Sequence, residues 1–190
     1  TFKPDTQIFG ADNIFNPNKI FKILENKAYL FKGVQINWKC NESLLKTSSN
    51  IPTYKKICYI NGISDYMKHK TSSNPLFTSS FFQGNVNIDD ETVEWVVSWL
   101  AEDENGFTET FCNTVNTPLG GTHETGFRFA MTKGIRNFAE LKGFKKANEI
   151  VYDDIMMSTG SILSIFIKEP QFQGQTKEKL VNSSTTKTVE

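Results

Sequence analysis

The chain has little of the side-chain chemistry that metal sites and disulfide frameworks use. Its 190 residues include three cysteines, Cys40, Cys58 and Cys112, and two histidines, His69 and His123. The cysteines are odd in number and widely spaced, which predicts reduced thiols of the cytosolic kind. Because the histidines stand apart from the cysteines, we expect no metal site.

Long apolar runs and excess charge are also missing. No apolar run approaches the roughly 20 residues that span a bilayer, and the start of the chain lacks the pattern of a signal peptide, so we expect no membrane partner. The formal net charge is +0 at pH 7, which argues against a surface that attracts nucleic acid everywhere. Any contact with DNA must then be local. The two arginines, Arg128 and Arg136, fall in one predicted helix.

What is present is the pattern of an ordinary globular protein. A chain of 190 residues is long enough for one domain, or for one domain with an appendage, and is expected to bury roughly 70% of its unfolded surface. Predicted helices and strands are interleaved irregularly, and hairpins dominate. The pattern predicts a two-layer α+β domain over residues 1–190.

The first third of the chain predicts a helix and then a hairpin. Asn16 is a good helix N-cap, Pro17 occupies the first helical position, and apolar residues recur at helical spacing after it. Val34, Ile36 and Trp38 alternate with polar residues, as in a half-buried strand, and KKICYI is its predicted partner.

A second hairpin is predicted in the middle of the chain, after a short helix near NGISDYMKH, with its turn at IDD. One face of its second strand is expected to form the core. That face consists of Val93, Trp95, Val97 and Trp99. A third strand, FTETFCNTV, then leads into the longest predicted helix, for which Thr122 is the expected cap. The apolar stripe of this helix consists of Phe127, Ala130, Met131, Phe138 and Leu141.

The last third predicts a short helix near DDIMM, the strand SILSIFIKE, the loop PQFQGQ and a final polar helix from about Thr176. The tail NSSTTKTVE has too little apolar content to be held in place by itself.

The stretch GGTHETGFRF invites comparison with a phosphate-binding P-loop, because Gly121 and Gly126 have the right separation. A P-loop needs lysine and then serine or threonine after the second glycine, whereas phenylalanine and arginine follow here. We therefore interpret the stretch as a glycine-rich entrance to a helix. His123 and Glu124 point in different directions on this helix, which favours a capping or structural histidine over acid–base chemistry.

Arg128 and Arg136 lie roughly 80° apart around a helix and could share a broad face with Lys142. This face is either a solvated surface opposite the apolar stripe, which the pattern favours, or a basic strip that approaches phosphates through charge.

The loop after the last predicted strand carries groups that suit a phosphate. Gly174 permits a backbone conformation closed to other residues, Gln175 supplies amide donors, and Lys177 brings a compact ammonium. A lysine in a polar loop is more commonly just solvated, so the residues alone leave both interpretations open.

Four stretches together, TFKPD, NGISDYM, FCNTVNTPLGGTHETGFRFAMTK and EPQFQGQTKEKL, resemble the transducer domain of bacterial type II topoisomerase B subunits. The resemblance covers the whole chain. It implies a fold like domain 2 of ribosomal protein S5, a two-layer α+β fold with a left-handed β-α-β crossover. NGISDYM and SILSIFIKEPQFQGQTKEKL look closer to topoisomerase IV than to gyrase, which is the alternative paralogue.

The resemblance implies part of an ATP-hydrolysing type II DNA topoisomerase, an isomerase, that couples ATP to gate closure and DNA strand passage. The family's ATP-binding domain before this domain and its metal-binding cleavage domain after it are absent from the sequence. ATP and Mg²⁺ are implied for the full-length protein, with none bound to this fragment, which we expect to be inactive alone. Implied partners are double-stranded DNA, the topoisomerase A subunit, and a second copy of the B subunit in an A2B2 complex, at the nucleoid of the bacterial cytoplasm.

The resemblance also implies roles for single residues. Lys177 matches the family's catalytic lysine, which contacts the γ-phosphate of ATP in the neighbouring domain together with Gln175. Gly174 and Thr176 supply the backbone of this loop. Arg128 matches the arginine that faces the cavity for the transported DNA. Without the ATP-binding domain, we expect QFQGQTK to be mobile rather than fixed by contacts within this chain.

Two interpretations of another class stay open. S5-like folds also occur in RNA-associated proteins, so the chain could be a stand-alone nucleic-acid-binding module, with salt-dependent binding. It could also be a nonenzymatic dimerisation module, with a concentration-dependent dimer that ignores ATP and DNA.

Overall fold

The computed structural model describes residues 3–10, 15–45, 50–73, 75–101 and 106–190. Thr1 and Phe2 of the TFKPD motif lie outside the described residues. The chain divides into two compact units, Thr1–Gly62 and Ile63–Glu190.

Among its described residues, the first unit contains two α-helices and a hairpin. After the short helix α1 (Thr6–Phe9), helix α2 (Pro17–Leu30) begins where the sequence predicts. The Asn16 side chain accepts hydrogen bonds from the backbone N–H groups of Asn18 (3.0 Å) and Lys19 (3.3 Å). This N-cap satisfies donors that have no partner within the helix.

The hairpin of the first unit pairs β1 (Ile36–Lys39) with β2 (Tyr54–Ile57) antiparallel, as predicted. Trp38 is buried, packs edge-on against Phe21 and donates from its indole N–H to the carbonyl of Pro52 (2.8 Å). Val34 is exposed and precedes the strand, so its predicted place on the buried face is wrong.

The second unit begins with helix α3 (Ile63–Lys70) and has a five-stranded mixed sheet. The strands are β3 (Phe82–Ile88), β4 (Glu91–Trp99), β5 (Phe107–Cys112), β6 (Val115–Asn116) and β7 (Thr159–Phe166), in the spatial order β3-β4-β7-β5-β6. The remaining helices are α4 (Thr122–Leu141), α5 (Tyr152–Met156) and α6 (Ser183–Val189).

Strands β5 and β7 are parallel neighbours, and the other strand pairs are antiparallel. Helix α4 lies in the crossover between β5 and β7, as parallel neighbours require. The mixed sheet and this β-α-β crossover confirm the predicted α+β, S5-like fold. The predicted hairpin of β3 and β4 is also present, and both turn residues, Asp89 and Asp90, have positive φ, as tight hairpin turns require.

The central strands β4 and β7 are buried on both faces, whereas the edge strand β3 is largely exposed. The predicted core face carries Val93 and Val97, which pack in one cluster with Phe127 and Met131 of α4. Val96, on the other face of β4, is equally buried, because α3 covers that side. The single-face prediction therefore identified one of two buried faces.

Helix α3 is fixed to the sheet by polar contacts to β5. The hydroxyl of Tyr66 donates to Glu109 (2.6 Å), and the ammonium of Lys70 donates to the same carboxylate (2.7 Å).

Three further local predictions are wrong. Thr122 is not the cap of α4, because Gly121 occupies the N-cap position. The predicted strand FTETFCNTV is broken by a turn at Asn113 and Thr114, where both residues have positive φ. The final helix begins at Ser183 rather than near Thr176.

The tail is held in place despite its polar composition. Thr185 is buried, Val189 packs against the main core, and the Thr186 hydroxyl donates to the carbonyl of Thr122 (3.1 Å). Gly126 allows this approach of α6 to α4, since a Cβ there would lie 2.4 Å from the Thr186 carbonyl oxygen.

All three cysteines are free thiols, as predicted. Burial, with a smaller contribution from the charge of Glu91, raises the pKa of Cys112 to about 12. Among the described residues, no helix is long and apolar enough to cross a membrane.

Candidate functional site

The loop that carries Lys177 is a small hairpin rather than the entrance to a helix. Its two arms, residues 171–173 and 179–181, are joined by backbone hydrogen bonds from Gln173 N–H to the Lys179 carbonyl (2.9 Å) and from Val181 N–H to the Gln171 carbonyl (2.9 Å). The tip, residues 174–178, projects beyond these bonds.

The entrance of α4 forms a third strand beside the second arm. Leu119 N–H donates to the Glu178 carbonyl (3.0 Å), Leu180 N–H donates to the Gly120 carbonyl (3.1 Å), and Thr122 N–H donates to the Leu180 carbonyl (3.1 Å). The Leu180 side chain is fully buried in the main core. The expectation that the loop lacks fixed contacts within this chain is therefore wrong for its base.

Asn182 closes the open end of this hairpin. Its side-chain oxygen accepts from Gln171 N–H (2.6 Å), and its amide nitrogen donates to the Glu169 carbonyl (3.3 Å). Asn182 also holds the N-cap position of α6, yet its side chain makes no capping hydrogen bond there. Asparagine before a helix ordinarily caps it, so sequence reasoning would not have found this role.

The tip presents the residues that the sequence singles out. Gln175, Thr176 and Lys177 are exposed, and the Thr176 hydroxyl donates to Glu178 (3.1 Å). Gly174 has φ of 75° and Lys177 has φ of 59°. A lysine in this left-handed region costs about 1 kcal/mol or more, so the surrounding contacts hold it there.

The Lys177 ammonium lies 5.8 Å from the centroid of the Phe172 ring. This is within the range of a cation–π contact, which is weak at an exposed site. A phosphate oxygen would offer the ammonium a charged hydrogen-bond acceptor instead. The tip can thus supply one cation and one amide to an anionic ligand.

Arg128 is already paired within α4. Its guanidinium donates twice to Glu124 (3.1 and 2.9 Å) and lies 4.5 Å from the centroid of the Tyr152 ring. Burial opposes the charged form, but the hydrogen bond and charge of Glu124, together with the charges of Tyr152 and Asp153, outweigh it, so the pKa of Arg128 lies above its usual value. A DNA phosphate would have to compete with this carboxylate.

The other members of the expected basic face are used differently. Arg136 donates from Nε to the Ile150 carbonyl (2.7 Å), which makes it part of the packing between α4 and the following segment. The Lys142 ammonium lies 5.5 Å from the centroid of the Phe138 ring. The structure therefore does not present these residues and Arg128 as a row of unpaired cations.

A buried polar chain supports the entrance of α4. The hydroxyl groups of Thr110 and Thr117 lie 2.7 Å apart, and the Thr117 hydroxyl lies 3.0 Å from Nε2 of His123. Burial lowers the pKa of His123 to about 4, so the ring is neutral near pH 7. His123 is thus structural, as predicted, but it does not cap the helix. No group of His, Cys, Asp or Glu in the described part of the chain could hold a metal ion.

The family model for DNA gyrase B matches residues 62–190. The proteins named as the B subunit of DNA topoisomerase 4 from Rickettsia bellii and Caulobacter vibrioides are 41% and 42% identical to the chain over its whole length. The chain spans 28% of the length of these curated relatives.

Solved structures show the same fold. The 43K ATPase domain of Thermus thermophilus gyrase B matches 98% of this chain and 48% of its own, with a TM-score of 0.77 and 24% identity. The topoisomerase IV ATP-binding domain of Francisella tularensis matches 96% of this chain and 47% of its own, with a TM-score of 0.75 and 26% identity. The resemblance found in the sequence motifs is thereby confirmed: the chain belongs to the DNA gyrase B family.

Proposed function

We propose that the chain is the transducer part of the B subunit of a bacterial ATP-dependent type II DNA topoisomerase, of the topoisomerase IV type. The similarity to proteins named as the B subunit of DNA topoisomerase 4, over 100% of the chain, supports this proposal. Since the chain spans 28% of those proteins, the rest of such a protein would hold the ATP-binding domain and the metal-binding cleavage domain.

Lys177 and Gln175 contact the γ-phosphate of ATP held by the ATP-binding domain. The observation that carries this proposal is the exposed, left-handed Lys177 at the tip of a loop whose base is fixed. A positive charge held at the γ-phosphate stabilises the charge that develops during phosphoryl transfer. In the full-length protein, Mg²⁺ is bound outside this chain.

The same contact couples nucleotide state to movement. The loop binds ATP better than ADP because only ATP has the γ-phosphate, and this difference in affinity shifts the balance between domain arrangements. Gate closure and DNA strand passage follow from that shift. Double-stranded DNA passes the face of Arg128. The topoisomerase A subunit, together with a second copy of the B subunit, completes an A2B2 complex in the bacterial cytoplasm, at the nucleoid.

The test is Lys177→Ala in the full-length B subunit. We expect ATP turnover to fall by about 100-fold, because one charge-stabilising donor is lost. Lys179→Ala is the matched control. Lys179 lies two residues after Lys177, on the second arm, and its side chain is also exposed, so the substitution removes the same charge from a different place. Turnover is measured with both variants at saturating ATP.

Equal turnover in wild type and Lys177→Ala would contradict the proposal. An equal loss in both variants would indicate a general charge effect instead of a contact made by Lys177. Tight, salt-dependent binding of duplex DNA or RNA by the isolated chain would favour the stand-alone nucleic-acid-binding interpretation.

A further inference from the structure

Two residues outside the tip contact the base of the Lys177 loop, one beside each arm of the hairpin. We propose that Gly121, beside one arm, and Asn182, beside the other, are positioning residues that set the place of Lys177. This inference rests on the proposed contact between Lys177 and the γ-phosphate.

Gly121 is required by contact with the backbone of the second arm. A Cβ at this position would lie 2.3 Å from the carbonyl oxygen of Leu180 and 2.6 Å from its backbone nitrogen. Gly121 also has φ of 139°, which side chains other than hydrogen disfavour. Any side chain at Gly121 must therefore push the arm away from the entrance of α4.

The arm has no room to yield toward the core, because the Leu180 side chain is fully buried there. A displacement must instead move residues 178–181 outward and weaken the hydrogen bond from Leu119 N–H to the Glu178 carbonyl (3.0 Å). Glu178 is the neighbour of Lys177, so the displacement reaches the ammonium. A misplacement of about 1 Å at a reacting group can cost about 100-fold in rate.

Asn182 holds the opposite arm by independent contacts. Its side chain accepts from Gln171 N–H (2.6 Å) and donates to the Glu169 carbonyl (3.3 Å) instead of capping α6. Without these bonds the first arm keeps its pairing with the second arm and the packing of Phe172 against the main core.

The experiment compares Gly121→Ala with Gly134→Ala in the full-length B subunit. Gly134 lies within α4, and a Cβ there meets nothing within 4 Å. We expect Gly121→Ala to lower kcat for ATP hydrolysis by about 10-fold to 100-fold with a small change in KM, because the lost interaction acts mainly in the transition state. Hydrogen exchange at the Leu180 and Thr122 amides should also accelerate. Gly134→Ala should neither lower kcat nor accelerate exchange at these amides.

A second pair of variants tests the other arm and decides the proposal if Gly121→Ala fails to fold. Asn182→Ala should lower kcat by about 10-fold and accelerate hydrogen exchange at the Gln171 amide. Asn182→Asp keeps the acceptor for that amide and should recover most of its protection.

The outcomes separate this inference from the proposed function. If Lys177→Ala lowers turnover while Gly121→Ala and Asn182→Ala keep wild-type kcat and amide exchange, the positioning role is wrong and the proposed function stands. If Lys177→Ala has no effect on turnover, the proposed function fails, and this inference fails with it.

Discussion

The two halves of helix α4 share one apolar stripe and have different surroundings. In the first half, His123, Phe127 and Met131 are buried. Phe127 and Met131 belong to the main core with residues of β4, β7 and α6. In the second half, Phe138 is 60% exposed and Leu141 is 86% exposed. The periodicity predicts the same stripe in both halves, so the sequence pattern does not separate them.

The difference shows that the helical period determines the direction in which a side chain points, but not whether another element covers and buries it. At 100° per residue, Phe138 lies about 20° from Phe127 around the helix axis. Phe127 nevertheless packs in the core with residues of β4 and β7. In the second half of α4, Ile135 is partly buried against the same core, and Arg136 bonds to Ile150 in the segment that follows the helix. Burial of the stripe therefore ends where the covering elements end.

The largest expected effect is the difference between two phenylalanine-to-alanine substitutions, one in each half of α4. Phe127→Ala should lower the free energy of unfolding by about 4 kcal/mol, because it removes a buried ring and leaves a cavity. Phe138→Ala should change it by less than about 0.5 kcal/mol, as exposed positions do. Urea denaturation followed by circular dichroism measures both, and equal losses would mean that the two halves are covered alike.

His123, the buried titratable residue in the first half of α4, should make the free energy of unfolding depend on pH. Burial lowers the pKa of His123 from 6.5 to about 4, so the unfolded chain binds a proton more readily than the folded chain. The stability that the neutral, buried His123 contributes is fully present above pH 6.5 and is lost as the pH falls from 6.5 to about 4. Below that pH, no further stability is lost from this group. The loss is on the order of 3 kcal/mol.

His123→Gln provides the comparison for this prediction, since glutamine does not titrate. The difference between the unfolding free energies of wild type and His123→Gln should shrink as the pH is lowered through this range. A difference that stays constant with pH would show that the folded protein accommodates the charged imidazole.

The third and smallest comparison concerns the junction between the two halves. Gly134→Ala should raise the free energy of unfolding by about 1 kcal/mol, because alanine favours the helix and its Cβ meets nothing within 4 Å. Thermal unfolding measures this as an increase in Tm. A decrease would mean that the helix needs a glycine at this position.

Most elements could be predicted because their signals are local. Asn16 and Pro17 identify the start of α2, and the paired aspartates of IDD identify the turn between β3 and β4. The errors occur where distant residues compete with such signals. Thr122 looks like a cap, but its N–H group bonds to Leu180 while Gly121 takes the N-cap position.

The α+β class, the family and the choice of Gln175 and Lys177 as candidate phosphate ligands came from the amino-acid sequence, whereas their place at the tip of a hairpin did not. They depend on local patterns or on short motifs. The buried extent of the α4 stripe and the way the loop base is held became visible in the packed fold alone. Gly121 and Leu180 meet across a long stretch of chain, and no local propensity encodes a contact that arises when distant segments pack together.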